Sequence, residues 1–529
     1  MIVLKNFFNK NIFLILSVVV ISFAIYQAYF FRWLCDDAFI SFVYSRNLAE
    51  GAGLVFQLGE RVEGYSNFLW TVLLSIGIKL SVSPLDESVL MGIFSFLGLL
   101  IYFCFQEKRI HAGYWIPVFT IHLSLFYHHW IFATSGLETM CFTLFLSMAL
   151  SGWEKKSEYT SSLLAVLSLI RPEGVLFFGI HFCEVFFKFG STGNWKRIFS
   201  VKYLLPLFVL LGFELARIYY YGEILPNTFY AKADHPGYFG QGINYLMYWF
   251  RSYPVYIGFF FYGLYLFTKD LLFDSNKRFL SFAVVLYIIY VIYVGGDFMG
   301  MRFWIPIIPY FSWIVYVRLS AHLNQIIFTG NTDQAAIKRK KIFFSFVLFL
   351  FIFSLAVYIN PFGKNHSGLP TWRGIGEERR FYENKLISDA GYDKNSLEGF
   401  RVAFFGAQAH FIYWMQPYYA WEAETGLTDK RLARKSTSTR GRVGHEKNAS
   451  LAELKERNLD LVLDDRFPLA SLPHIFYRWR NFSWKIMVVR FNSFKFSNLC
   501  KRKDWDCSPL YKEIARKKMD TSKEIDFLQ

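Results

Sequence analysis

The sequence predicts an α-helical polytopic membrane protein with about eleven transmembrane helices and a C-terminal α/β domain on the extracytoplasmic side. Three observations predict it. The 529-residue chain is 54% hydrophobic with a mean hydropathy of +0.27, an apolar excess too high for an ordinary soluble domain of this length. Long apolar stretches recur, among them Ile12 to Ala28, Val284 to Val294 and Ile342 to Tyr358, and a bilayer core takes about 20 mostly apolar residues per helix. The polar connections also alternate in kind, strongly basic ones with ones rich in Gly, Pro, Asn and single charges.

The first apolar stretch has the length of a secretory signal. Bulky Tyr29, Phe30 and Phe31 follow it where a cleavage site needs small residues, so it reads as a retained span. Lys5 and Lys10 precede it and place the N-terminus in the cytoplasm. The basic connections are QEKRIHAG (Gln106 to Gly113), WEKKSEYT (Trp153 to Thr160), KFGSTGNWKR (Lys188 to Arg197), TKDLLFDSNKR (Thr268 to Arg278) and Lys338 to Lys341, and they read as cytoplasmic loops. Between them fall ATSGLET, RPEG, YYYGEILPNTFYAKADHPG and GGDFMGMR, which read as outer loops. Counting Asn67 to Leu80 as a span would break this alternation. It is therefore read as a helix lying along the outer surface, inside a long first outer loop over 31–87.

The membrane domain then covers 1–360 and the outer domain 361–529, in a bacterial cytoplasmic membrane. The outer domain mixes candidate strands (RVAFFG, LDLVLDD, WKIMVVRF) with short helical runs such as Ser450 to Arg457. It carries 30 Lys+Arg against 21 Asp+Glu, out of a net +16 for the chain. A basic domain beside a bilayer suits anionic lipid heads or acidic glycans, and equally suits plain solubility. No nucleic-acid partner is expected. Cys104, Cys141 and Cys183 lie in apolar runs as packing residues, and Cys500 and Cys507 bracket KRKDWD, a spacing open to a disulfide outside the cytoplasm.

The chemistry is expected in the first outer loop, which opens on Asp36 and Asp37. Two adjacent carboxylates at a membrane edge lose water and repel each other, so they are retained for a proton, a cation or a reaction. One can deprotonate a hydroxyl while the other orients it or helps hold a divalent ion; a divalent cation is compatible with the pair but not required. The rival reading is a solvated pair that caps the following helix. Arg46, Glu60, Arg61 and Glu63 share the loop, and Arg46 or Arg61 can neutralise Glu60 or Glu63.

The string DDAFISFVYSRNLAEGAGLVFQLGERVEGYSNFLW resembles the terminal arabinofuranosyltransferases of cell-wall arabinan synthesis, within the GT-C superfamily of membrane glycosyltransferases, whose mark is an acidic pair directly after the first transmembrane helix. SGLET (Ser135 to Thr139), RPEG (Arg171 to Gly174), YYGEILPNTFYAK (Tyr220 to Lys232), GGDFMGMRFWIPIIP (Gly295 to Pro309), TGLTDKRLAR (Thr425 to Arg434) and GHEK (Gly444 to Lys447) extend the resemblance over most of the chain. It implies a GT-C fold, a polyprenyl-phosphate sugar donor, and an envelope glycan or glycolipid acceptor on the outer face. Asp36 and Asp37 inherit the catalytic acidic position, and the sugar does not carry over.

Arg171 is then the first candidate for donor phosphate, since a guanidinium forks onto phosphate oxygens, with pairing to Glu173 as its alternative. Lys232 and Arg302 are further phosphate candidates. Glu63, Glu138, Asn227, Tyr230, Asp297 and His445 are candidate substrate-binding residues. Several have structural alternatives: Glu138 at a helix start, Asp297 paired with Arg302, Lys232 and His445 at the surface. Glu214 and Arg217, three apart, are expected to neutralise each other. His410, His445 and His474 fit no zinc pattern. KSTSTRGR (Lys435 to Arg442) reads as a basic loop able to close over the site. The rival from another class is a flippase or transporter for a lipid-linked glycan, but the two related halves with paired broken helices that many transporters show are missing.

Overall fold

The computed structural model describes the chain apart from residue 1, 111–115, 233–236, 329–349, 351–352, 363–370, 383–391, 437–446, 465–470, 480–481 and 529. The chain forms two compact units, each assembled from separated stretches. The first comprises Met1–Leu34, Leu85–Leu215 and Gly237–Glu383; the second comprises Cys35–Pro84, Ala216–Pro236 and Asn384–Gln529. This grouping cuts differently from a sequential boundary at residue 360, because Cys35–Pro84 groups with the C-terminal residues.

The first unit is helical. Among the described residues three helices are long and apolar enough to cross a bilayer: Asn11–Phe30, Pro84–Ile110 and Glu173–Ser191. Their outward side chains are apolar, with Val19, Phe94 and Phe187 all more than half exposed. That is the pattern of a membrane protein, in which lipid replaces water as the outer solvent. The helix Pro84–Ile110 runs through the first half of the expected QEKRIHAG loop. Helices Thr139–Glu154, Thr160–Ile170 and Glu173–Ser191 pack in sequence, and Tyr256–Phe273 packs on Arg278–Tyr293. Gly242 lets Phe239–Ser252 touch Arg278–Tyr293, since a Cβ there would meet the Ile292 carbonyl oxygen at 1.8 Å. Strands β1 (Thr371–Trp372) and β2 (Ile375–Gly376) form a small antiparallel hairpin, and Gly376 bridges to Met299.

RPEG breaks the helix as proline requires. Arg171 is extended (φ −150°, ψ 145°) because a residue before proline is pushed out of the helical region, and Pro172 starts the next helix. A Cβ on Gly174 would lie 2.5 Å from the Leu167 carbonyl carbon, so only glycine lets the two helices turn this tightly.

The connections sort by kind in this unit. Among the basic ones, Lys155 bonds Gln106 and Lys156 Nζ reaches Asn276 Oδ1 at 3.2 Å, joining WEKKSEYT to QEKRIHAG and to TKDLLFDSNKR. Among the others, SGLET, RPEG and GGDFMGMR meet through ion pairs described below.

The second unit begins with the helix Asp36–Ala49 packed on Phe68–Lys79. The latter has 12 residues, about 18 Å at 1.5 Å per residue, which is too short to cross a bilayer core of about 30 Å. It buries Trp70, Thr71 and Leu74 and leaves Ile76 half exposed. Ser41 Oγ and Thr71 Oγ1 both donate to Asn67 Oδ1, and Ser45 Oγ donates to the Thr71 carbonyl, so polar bonds fix the two helices together.

A six-stranded sheet follows in the order β4-β3-β5-β7-β6-β9. Its strands are β3 (Arg401–Phe404), β4 (Tyr419–Glu422), β5 (Leu461–Leu463), β6 (His474–Trp479), β7 (Phe482–Val488) and β9 (Trp505–Asp506). β3 runs parallel to β4 and β5; the remaining pairings are antiparallel. Ala403, Trp421, Val462 and Met487 anchor its core. β8 (Arg490–Phe491) pairs with β10 (Ile525–Asp526). The three expected strand segments and the helix near Ser450 are present, whereas β4 and β6 were not anticipated. Cys500 and Cys507 are joined in a disulfide with Cα atoms 5.7 Å apart.

Candidate functional site

Asp36 and Asp37 open the helix Asp36–Ala49, where unpaired N–H groups and the positive end of the helix dipole favour carboxylates. The fold separates the two. Asp36 is buried and Asp37 half-buried. Asp36 Oδ2 accepts the Ala409 N–H at 2.9 Å, and Oδ1 accepts the His410 N–H at 3.0 Å. Those N–H groups begin the helix Ala409–Met415, so Asp36 caps it from 373 positions earlier in the chain. His410 Nδ1 lies 2.6 Å from Asp36 Oδ1. The Phe39, Tyr392 and Phe411 rings pack around this buried imidazole. With Nδ1 directed at Asp36, Nε2 is the nitrogen left for other chemistry, and it has no hydrogen-bond partner among the described residues.

Both Asp36 oxygens face N–H donors, and among the described residues no group of three or more His, Cys, Asp or Glu could hold an ion.

Several other candidates have different partners from those expected. Glu63 is buried and pairs with Arg217, Nη1 to Oε2 at 2.7 Å, instead of with Arg46 or Arg61. Arg46 instead donates to the Tyr413 carbonyl at 2.8 Å and lies over its ring. This buried ion pair is where the structure places Glu63, for which substrate binding is the sequence expectation. Asn227 is also held from inside the protein. Its Nδ2 donates to the Gly426 and Leu427 carbonyls at 2.7 and 2.9 Å, and its own N–H donates to the Glu63 carbonyl. Its Oδ1 is buried without a partner among the described residues, an acceptor able to take a sugar hydroxyl.

The TGLTDKRLAR segment explains itself through packing. The Glu422 carboxylate accepts the N–H groups of Glu424, Thr425, Gly426 and Leu427 and the Thr425 hydroxyl, which curls the loop around one anion. Asp429 then caps the helix Lys430–Ala433. Gly64 lets the first loop reach this turn, since a Cβ there would lie 2.6 Å from the Leu427 carbonyl oxygen and 2.8 Å from the Tyr44 hydroxyl. Burial raises the Tyr44 phenol well above its ordinary value, so it stays neutral while it donates to the Val62 carbonyl and accepts the Gly64 N–H.

Tyr230 and Lys232 remain open. Arg434 stacks on the Tyr230 ring at 3.9 Å, and the Tyr230 carbonyl accepts Lys447 Nζ at 2.7 Å. Lys232 is half-buried and its amine has neither a hydrogen bond nor an ion pair among the described residues. Ala231, between them, packs with Leu427 and Ala433 in a cluster that also takes Ile40 and Tyr230. Ile40 lies one helical turn after Asp37 on the same side of its helix. His445 and most of the KSTSTRGR stretch lie outside the described residues.

In the first unit, Arg171 is fully engaged. Its Nη1 donates to Glu138 at 2.7 Å, and its Nε and Nη2 donate to Glu173 at 3.1 and 2.7 Å. Arg302 pairs with Asp297 at 3.2 Å and approaches Glu138 at 3.8 Å. Phe142 and Phe303 close over Arg171. The three connections are thus locked by a buried charge network. The phosphate-binding role for Arg171 gives way to its alternative, pairing with Glu173. Glu138, Asp297 and Arg302 likewise have partners within the network.

His410 is the residue the sequence did not single out for a role. Its neighbours, AQAHFIYW, carry no motif, and its partner lies at the other end of the chain.

Two curated relatives are similar to parts of the chain, and both carry the name terminal beta-(1->2)-arabinofuranosyltransferase. The chain is 26% identical over 248 residues to the terminal beta-(1->2)-arabinofuranosyltransferase of Mycobacterium tuberculosis, covering 43% of this chain and 39% of that protein. It is 24% identical over 412 residues to the protein of the same name from Corynebacterium glutamicum, covering 68% of this chain and 56% of that protein. The matches therefore span about two-fifths and just over half of the lengths of these relatives. No protein-family model matches. Among solved structures, the Archaeoglobus fulgidus oligosaccharyltransferase aligns with a TM-score of 0.39 and 9% identity over 89% of this chain and 73% of that chain.

Proposed function

We propose that this protein is a membrane glycosyltransferase that moves a sugar from a polyprenyl-phosphate donor to an envelope glycan or glycolipid on the outer face of a bacterial cytoplasmic membrane. One observation carries the reading: the acidic pair after the first span is split into a buried Asp36 bound to His410 and a half-buried Asp37 beside it. Two like carboxylates in unlike environments take different tasks.

Asp37 is the general base. It takes the proton of the acceptor hydroxyl as that oxygen bonds to the anomeric carbon; the carbon–oxygen bond to phosphate breaks, and polyprenyl phosphate leaves with the electron pair. Asp36 is a positioning residue that fixes the start of the helix bearing Asp37 against His410. Lys232 neutralises the departing phosphate, and Tyr230 beside it offers a ring and hydroxyl to the sugar. The Cys500–Cys507 disulfide supports an extracytoplasmic location for the second unit, since such bonds persist in oxidising compartments. About eleven spans agree with that placement.

Both relatives are named for arabinofuranosyl transfer, so a polyprenyl-phosphoryl arabinofuranose is the first donor to test. The decisive experiment compares glycans and lipids, by mass spectrometry, of a deletion strain and of one expressing Asp37→Asn. Loss of the same sugar residue in both supports the transferase. Unchanged glycans with Asp37→Asn, or transport of a lipid-linked glycan by proteoliposomes without sugar transfer, would overturn it and favour a flippase.

A further inference from the structure

A cavity of about 640 Å³ opens in the second unit, within the ~300–1,000 Å³ range of ligand sites. Neither Asp37 nor Lys232 lines it. Arg61, Arg401, Lys430, Arg431 and Arg457 supply five cations, and Glu60, Asp429 and Glu456 three carboxylates. The pairing is uneven. Arg431 forks onto Glu456 with bonds of 2.9 and 2.7 Å, and Arg457 is bonded to Asp429 and Tyr419. Lys430 donates to the Tyr221 carbonyl at 2.7 Å.

Two guanidiniums have no carboxylate among the described residues. Arg61 is exposed, lies 4.6 Å over the Tyr220 ring and makes no hydrogen bond or ion pair there. Arg401 stacks 4.1 Å over Tyr419 and donates only to the Arg457 carbonyl, at 3.3 and 3.2 Å. Stacking on a ring holds each guanidinium plane in place and leaves its edge to fork onto an anion. At the same wall Glu60, whose carboxylate accepts no hydrogen bond among the described residues, is placed to take a hydroxyl hydrogen and would repel a continuous anionic surface.

We infer that this cavity binds an anionic saccharide, one bearing a carboxylate or a phosphate, with Arg61 and Arg401 on its charge and Glu60 on a hydroxyl. Under the transferase reading this is where the acceptor's charged residue docks, and that assignment rests on the reading; binding itself does not.

The test uses the full chain in neutral-lipid nanodiscs and calorimetric titration. The probes are trigalacturonate, mannose 6-phosphate, maltotriose and inorganic phosphate, with vesicles containing phosphatidylglycerol as a further arm. Trigalacturonate or mannose 6-phosphate should bind and maltotriose should not, and whichever of the two binds identifies the anion. Arg61→Ala, a change at an exposed side chain, should weaken that binding about tenfold or more, the least expected for a lost charge-assisted hydrogen bond. Arg401→Ala should do the same, while Asp37→Asn should leave it unchanged. Equal binding of maltotriose, undiminished binding in both arginine variants, binding of inorganic phosphate as tight as that of the sugars, or preferential binding of the vesicles would each overturn the inference. Saccharide binding without any sugar transfer would leave it standing and defeat the transferase reading instead.

Discussion

Asp36→Asn and Asp37→Asn should fail in different ways. Asp36 accepts three hydrogens: two backbone N–H groups on separate oxygens and, on Oδ1, the imidazole of His410. Asparagine keeps one oxygen. Placed at Oδ1 it still serves His410, but its NH2 group then faces the Ala409 N–H, leaving a buried donor without an acceptor. An unsatisfied buried donor costs about 1–3 kcal/mol, and a charged acceptor is lost as well, so the local penalty is about 2–4 kcal/mol. The helix Ala409–Met415 should feel it first. Hydrogen–deuterium exchange of the full chain in nanodiscs reads this directly, because amide protection reports local opening. Peptides covering 405–416 should exchange about 30-fold to several hundred-fold faster in Asp36→Asn. Asp37→Asn should leave them within a few-fold of the parent and still abolish transfer. If Asp36→Asn left these peptides unchanged, or Asp37→Asn kept full transfer, the division of labour between the two carboxylates would be wrong.

Four further outcomes follow from the same structure. Arg171→Ala strands Glu138 and Glu173 in a buried site and should destabilise the first unit by about 3–5 kcal/mol, measured as thermal unfolding in nanodiscs; a parental transition would show that the charge network is not structural. Lys232→Ala should lower transfer by about tenfold or more without changing exchange protection, while Lys232→Arg recovers part of it. Cys500→Ser with Cys507→Ser removes a short cross-link worth about 2.5 kcal/mol in the chain-entropy model, visible as faster exchange in 493–516. Glu453 is half of a capping box with Ser450 and also bonds Lys435; desolvation pushes its carboxyl up, but these partners prevail and hold it at about 2 against an ordinary 4.5. Its contribution to stability is therefore fully present above about pH 4.5 and is lost as pH falls through about 2. Ser450→Ala should raise the midpoint of the Glu453 side-chain carbon resonance toward 4.5, and an unmoved midpoint would refute the capping account.

What could be read from the sequence was what local pattern encodes. The apolar helices, the break at Arg171–Pro172 and the short helix at Phe68–Lys79 all follow from hydropathy, proline sterics and length. Three strand segments were visible for the same reason. What could not be read were partners distant in the chain. Arg217 reaches back 154 positions to Glu63, a partner no local spacing announces. Asn227 carries the chemistry of a sugar ligand and is taken up by carbonyls about 200 positions later. β4 and β6 were missed although Pro417 and Pro473 stand just before YAWE and HIFYRW, because their runs of aromatic residues lack the aliphatic stretch that marks the other strands.

The charges that sequence reasoning assigned to substrate divide according to whether their neighbours are charged too. Arg171, Arg302, Glu138, Asp297 and Glu63 all sit where another connection delivers an opposite charge, and each is neutralised inside the protein. A buried cation already forked onto carboxylates would have to give up those bonds to take a phosphate, leaving an unpaired buried charge at a cost of several kcal/mol. Lys232 and Arg61 have no ion-pair partner among the described residues. A substrate's charge is the one that the protein need not provide for itself. The residues to mutate first are therefore Lys232 and Arg61, the cations without an ion-pair partner among the described residues.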